Sequence, residues 1–150
     1  MAVTFITKSF EQLLSSELYE ILRLRAAVFV VEQDCVYQDI DNKDQKALHI
    51  IGSKNNKIVA YARILDQGVY FEEAAIGRVI IAQTERQFGY GHELVDTSIA
   101  GIYKNFGTKT IKISAQKHLE KFYQQHGFIT IGQEYIEDGI PHIAMVKENY

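Results

Sequence analysis

Ile76-Gly77-Arg78-Val79-Ile80-Ile81, a short link over 82–85, and then Arg86-Gln87-Phe88-Gly89-Tyr90-Gly91-His92 form the stretch on which this chain turns. Ala74–Ile81 is apolar and rich in β-branched residues, which reads as a strand. From residue 92 onward the apolar positions Leu94, Val95, Ile99 and Ile102 follow a helical period. Between them lies a loop whose glycines let backbone approach a ligand closely. The helix that follows aims its unpaired N–H groups at the same place. Strand, glycine turn and helix start together make a physical recipe for holding a pyrophosphate. A phosphate loop of the Gly-Lys-Ser/Thr kind is excluded because no lysine follows Gly91, and a dinucleotide fingerprint because Leu94 stands where its third glycine belongs.

Working outward, residues 3–8 alternate like a short strand. Ser9 with Gln12 has capping-box spacing and is expected to open a helix. Leu18, Ile21, Leu22, Arg25, Val28 and Phe29 continue it toward Gln33. A polar loop over 34–46 precedes two strands, 47–53 and 58–65, joined at Asn55-Asn56. The second half alternates helix and strand: a helix ending at Asn105-Phe106-Gly107, a β-branched strand over 110–115, and a helix over 117–126 stopped by Gly127. Two final strands, 128–136 and 140–147, meet around Asp138-Gly139. No internal repeat or boundary divides the chain, so residues 1–150 read as one domain of mixed α/β type around one sheet.

Composition agrees. The chain has 150 residues, 47% hydrophobic and 23% charged, with nine tyrosines, eight phenylalanines and one proline. That is enough apolar material for a core and too little glycine and proline for a linker protein. Nineteen acidic against sixteen basic residues speak against nucleic acid as the partner. No apolar run reaches the ~18 residues of a membrane span, and the first ten residues do not resemble a signal peptide. The lone Cys35 has no intrachain partner, which fits a reducing, cytoplasmic location. No histidine or cysteine spacing suggests a metal site.

Arg86-Gln87-Phe88-Gly89-Tyr90-Gly91 resembles the Arg/Gln-x-x-Gly-x-Gly/Ala signature of the GCN5-related N-acetyltransferases. Phe122-Tyr123-Gln124-Gln125-His126-Gly127-Phe128 is similar to that family's late helix and its Tyr-x-x-x-Gly-Phe ending. Leu24-Arg25, the run Val28 to Gln33, Asp41, Asp44, His49 and the closing Glu137-Asp138-Gly139-Ile140-Pro141-His142 resemble the ElaA-like subfamily. The resemblance spans residues 3 to 147 and implies the order β-α-α-β-β-β-α-β-α-β-β, a mixed central sheet flanked by helices. It implies acetyl-CoA as co-substrate, with the pantetheine arm along a splayed strand at Val79, Ile80 and Ile81. The pyrophosphate would lie against Arg86, Gln87, Phe88, Gly89, Tyr90, Gly91 and His92. Gln116 stands where the family often has asparagine. The acceptor would be a small-molecule or peptide amine, and a homodimer is left open.

Acetyl transfer to an amine needs a neutral nucleophile, a stabilised oxyanion and a proton for the departing thiolate. An amine of pKa about 10.4 is neutral in only about one molecule per thousand at pH ~7.4, so a base must take its proton. The resemblance implies an oxyanion contact from a backbone N–H near Val79 or Ile80, and Tyr123 as general acid. Glu32 and His142 are the leading candidates for the base, with His49 and Glu73 behind them. Arg78, beside the thioester position, reads equally as a structural ion pair or a substrate contact. Glu32, Asp34, Asp39, Asp41 and Asp44 read as a solvated loop or as a negative rim that draws in a cationic amine.

Overall fold

The computed structural model describes residues 2–107 and 110–148. Seven strands form one sheet: β1 (Thr4–Ser9), β2 (Leu48–Lys54), β3 (Lys57–Leu65), β4 (Ala74–Ile81), β5 (Thr110–Gln116), β6 (Ile129–Glu137) and β7 (Ile140–Glu148). Their spatial order is β1-β2-β3-β4-β5-β7-β6. Only β4 and β5 run parallel, linked by helix α2 (Tyr90–Phe106); every other pair is antiparallel. Such a parallel crossover needs a helix-length connection, which α2 supplies.

Each face of the sheet has its own cover. Leu94, Val95, Ile99 and Ile102 of α2 bury against Ile50, Ala62, Ile64, Ile76, Ile111 and Ile113. Gly101 permits close approach, since a Cβ there would lie 3.1 Å from the Cδ1 of Ile64. On the other face, Ile21, Leu24 and Val28 pack on Ile51, Tyr61 and Ile80. A short helix, α3 (Glu120–Gln124), follows β5 and buries Tyr123.

The start of the first helix differs from expectation. The Ser9 N–H does donate to Gln12 Oε1 at 2.9 Å, but this closes a single turn, Phe10–Gln12. The helix itself, α1 (Ser15–Arg25), begins after Glu17 Oε1 accepts the Leu14 N–H at 2.8 Å. The two helical stretches expected before β2 run on without a break, as α1 continues into a wider π-helical segment, Ala26–Glu32. Its i→i−5 bonds, Gln33 N–H to Val28 O at 3.2 Å and Cys35 N–H to Val30 O at 3.0 Å, swing the chain toward the sheet's opening.

Candidate active site

β4 and β5 pair only at Ala74↔Ile111 and Ala75↔Lys112, then diverge. The β5-facing edge of β4 beyond Ala75 therefore lacks a ladder partner, and buried backbone donors without partners are seldom tolerated unless water or a ligand meets them. A bulge completes the opening. Ala60↔Ile81 and Tyr61↔Ile80 are in one register and Arg63↔Gly77 in another, so β4 carries an extra residue between Gly77 and Ile80. Arg78 at φ +51 absorbs it. As a result Ile76 faces α2 whereas Ile80, four residues on, faces α1. Regular alternation would have put both on one side.

The opening is a cavity of about 580 Å³. At one end lie Ile81, Arg86, Gly89, Gly91, His92 and Phe122. Gly89 (φ +76) turns the chain into α2 with nothing within 4 Å of a Cβ placed there. The start of this 17-residue helix carries no side-chain cap and lies at the cavity wall through Gly89, Gly91 and His92, so its positive dipole end faces the cavity. Arg86 binds Ile81 O through Nε at 3.1 Å and grips Glu32 with both terminal nitrogens, at 2.5 and 2.8 Å. Glu32 is therefore committed to an ion pair at this end. Behind His92, its Nδ1 lies 2.9 Å from His126 Nε2, and His126 Nδ1 lies 2.8 Å from Asp96 Oδ1.

Tyr123 lines the same cavity and is 7% exposed, its ring edge-on to Phe122 and Phe128. Burial alone pushes its phenol pKa well up, so it stays protonated at neutral pH and has a proton to give. The side-chain amides of Gln33 and Gln116 each donate a hydrogen bond to the other's carbonyl oxygen, at 3.1 and 3.2 Å, tying the end of β5 to the end of the π-helical segment.

The far end gathers His142, Glu137, Ser114, Tyr37, Tyr70, Phe71 and Arg78. His142 donates Nδ1–H to Ile140 O at 2.7 Å, which leaves Nε2 as its basic nitrogen, 3.4 Å from Glu137 Oε2. Glu137 also accepts from Ser114 Oγ at 3.2 Å. The hairpin register makes this pair: His142 sits opposite Tyr135, and Glu137 is the diagonal neighbour on the same face. Cys35 is buried and its Sγ–H donates to Asp138 O at 2.9 Å, anchoring the loop after the π-helical segment to that hairpin turn.

The negative rim is not found. Asp39 and Asp44 are buried, and with Asp41 they bind three arginines: Arg25 to Asp39 and Asp44, Arg63 to Asp41 and Asp44, Arg78 to Asp39 and Asp41. Burial opposes the charge on Asp41 and Asp44. The guanidiniums outweigh it and hold both carboxyls below the usual range. His49 is also withdrawn from the site. It is fully buried, donates Nε2–H to Asp44 O at 2.9 Å and accepts from the Tyr61 hydroxyl at 2.6 Å. Burial lowers its pKa, so it is a neutral structural histidine. Glu73 is absent from the cavity wall.

A family model described as an acetyltransferase (GNAT) domain matches residues 12–149. The chain belongs to the GNAT acetyltransferase family. Among its relatives, protein ElaA of Escherichia coli K12 is 46% identical over 135 residues, 89% of this chain and 88% of that protein. The crystal structure of E. coli ElaA superposes with a TM-score of 0.91 at 42% identity, covering 97% of this chain and 99% of the other. An acyl-CoA N-acyltransferase from Pseudomonas aeruginosa does so with the same score and coverage at 34% identity. The single α/β domain with its mixed sheet is thus the GNAT fold, and membership in this acyltransferase family supports acyl transfer as the activity.

Several contributors to the cavity went unassigned from sequence, among them Glu137, Gln33 and Tyr70. Glu137 was visible as the start of the closing motif, but only strand register brings it beside His142. Gln33 closes the run Val28 to Gln33, but only the fold brings it against Gln116, 83 residues on, and Tyr70 lines the cavity without a local motif to mark it.

Proposed function

We propose that the chain is an acetyl-CoA-dependent N-acetyltransferase acting on a primary amine. The observation that carries the reading is one cavity lined by a helix start without a side-chain cap, a buried tyrosine and a histidine whose tautomer is fixed by a backbone carbonyl. The cavity suits coenzyme A: the unpaired β4 edge offers backbone bonds to a pantetheine arm, and the Gly89–Gly91 turn leaves room for phosphates.

Acetyl-CoA would supply an activated acyl thioester. The chain's own groups do the rest. His142 Nε2 takes the proton from the acceptor ammonium, and the Glu137 carboxylate stabilises the imidazolium that results. A backbone N–H on the β4 edge near Val79 or Ile80 meets the developing oxyanion. Tyr123 gives its hydroxyl proton to the departing sulfur. The Arg86 pairing is why Glu32 yields to His142 as the base.

The test is calorimetric and kinetic. Saturating acetyl-CoA raises the thermal midpoint of the parent protein by linkage, and thiol release from acetyl-CoA becomes dependent on an added amine. No midpoint shift would remove the donor assignment. A shift with no thiol release across a broad amine panel would favour a non-catalytic acyl-CoA-sensing domain.

A further inference from the structure

Arg78 occupies an unusual place. It holds a left-handed φ of +51 in the middle of a strand, a conformation that side chains other than glycine, asparagine and aspartate rarely adopt and that collects at functional sites. Its guanidinium is then fixed from one side only. Nε donates to Asp39 Oδ1 at 2.7 Å, and Nη2 to Asp39 O at 3.0 Å and Asp41 Oδ2 at 3.5 Å. The ring of Tyr37 lies 5.7 Å from its central carbon. Nη1 has no partner among the described residues, while the side chain lines the cavity and keeps 17% exposure.

The same wall has a second unmatched donor. Arg63 Nε is buried without a hydrogen-bond partner, beneath Gly77, where an added Cβ would lie 3.9 Å away. Two guanidinium donors beside this wall, Arg78 Nη1 and Arg63 Nε, therefore lack an acceptor among the described residues. The same end of the cavity also holds Glu137, Ser114 and His142. Tyr70 lines this end too and feels both the carboxylate and the guanidiniums. Burial and the Glu137 carboxylate push its phenol pKa up while Arg78 and Arg63 pull it down.

We propose that Arg78 Nη1 binds a carboxylate of the acceptor, so that the substrate class is an amine that also carries a carboxylate, as an amino acid does. Its ammonium would face Glu137 and His142, and its carboxylate would face Arg78. Three aspartates already balance Arg25, Arg63 and Arg78. One open guanidinium edge suits a monoanion, whereas a phosphate dianion would overmatch it. The proposal rests on the acetyl-transfer reading above.

The experiment compares amino acids with their own amides and with the amines formed by removing the carboxylate, using the full chain, acetyl-CoA and thiol release. Acetyl-CoA binding is measured first by thermal shift. The free acid is expected to exceed its amide by about 10- to 100-fold in kcat/KM. Arg78→Asn, which tolerates the left-handed backbone, should erase that preference chiefly through KM for the acceptor. Should this variant not fold, the acid-against-amide comparison on the parent protein decides alone. An amide or plain amine that matches the acid overturns the inference and leaves acetyl transfer standing. So does bound acetyl-CoA with no amino acid acetylated. Absence of acetyl-CoA binding overturns the underlying reading, and this inference with it.

Discussion

Asp44→Asn tests the buried charge cluster directly. Asp44 Oδ1 accepts Arg25 Nη1 at 2.7 Å and Arg63 Nη1 at 2.9 Å, and both guanidiniums are almost fully buried, at 0% and 1% exposed. Asparagine keeps the volume and one acceptor oxygen. It removes the charge and can turn an N–H₂ donor toward two groups that are donors only. Breaking a buried pair by neutralising one member costs about 3–5 kcal/mol. Asp39 and Asp41 still pair with the arginines, so the lower end, about 3 kcal/mol, is the expected loss. For a domain of this size that lowers the melting midpoint by roughly 6–12 °C. Calorimetry on the parent and the variant at pH 7 reads it. Asp34→Asn is the control: Asp34 is an exposed carboxylate at φ +50 in the same loop, and its replacement should move the midpoint by no more than about 2 °C. Equal midpoints for Asp44→Asn and the parent would refute the account of a cluster that holds loop 39–44 against β3 and β4.

Tyr123→Phe keeps the ring packing against Phe122 and Phe128, so stability and acetyl-CoA affinity should change little while kcat falls about 10-fold or more; parental kcat across the pH range would return Tyr123 to a structural role. His142→Ala should lower kcat by about 100-fold at unchanged acetyl-CoA affinity, and an equal loss in Glu32→Gln instead would reverse the assignment of the base. Gly89→Val forces a β-branched residue to φ +76 and puts its side chain beside the helix start, so the acetyl-CoA midpoint shift should vanish although the variant still melts cooperatively. Stability should also fall in two stages on acidification. His49, with its pKa lowered by burial, stays neutral in the fold while the unfolded chain protonates below about pH 6.5. Asp41 and Asp44, held low by the arginines, contribute fully above about pH 4 and lose their contribution below it. Midpoints that stay flat from pH 7 to pH 3 would contradict both stages.

Local chemistry was legible without a structure. Hydrophobic period and turn residues located all seven strands and α2. They depend on neighbours a few residues apart, and those neighbours are in the sequence itself. The Arg86–Gly91 turn, with Tyr123 and Gly127 downstream, was readable for the same reason, since glycine at φ +76 and +91 and a helix start are local backbone facts. Helix boundaries were less so. Ser9 and Gln12 do bond as their spacing suggests, but Leu13 and Leu14 turn extended before α1 begins.

What tertiary structure alone decided is how charges and edges meet. Asp39, Asp41 and Asp44, in a polar loop, look solvated until Arg25, Arg63 and Arg78 arrive from α1, β3 and β4, between 14 and 39 residues away in the chain. Glu32 looks like a free carboxylate until Arg86, 54 residues on, takes it. His49 and His142 have the same intrinsic basicity; one is sealed between Tyr61 and a carbonyl, the other stands at a cavity wall beside Glu137. The extra residue at Arg78 reverses which face the end of β4 presents, and no alternation pattern encodes it. Sequence determines what each residue can do with its near neighbours, whereas desolvation and Coulomb pairing depend on distance in space, which only the folded chain sets.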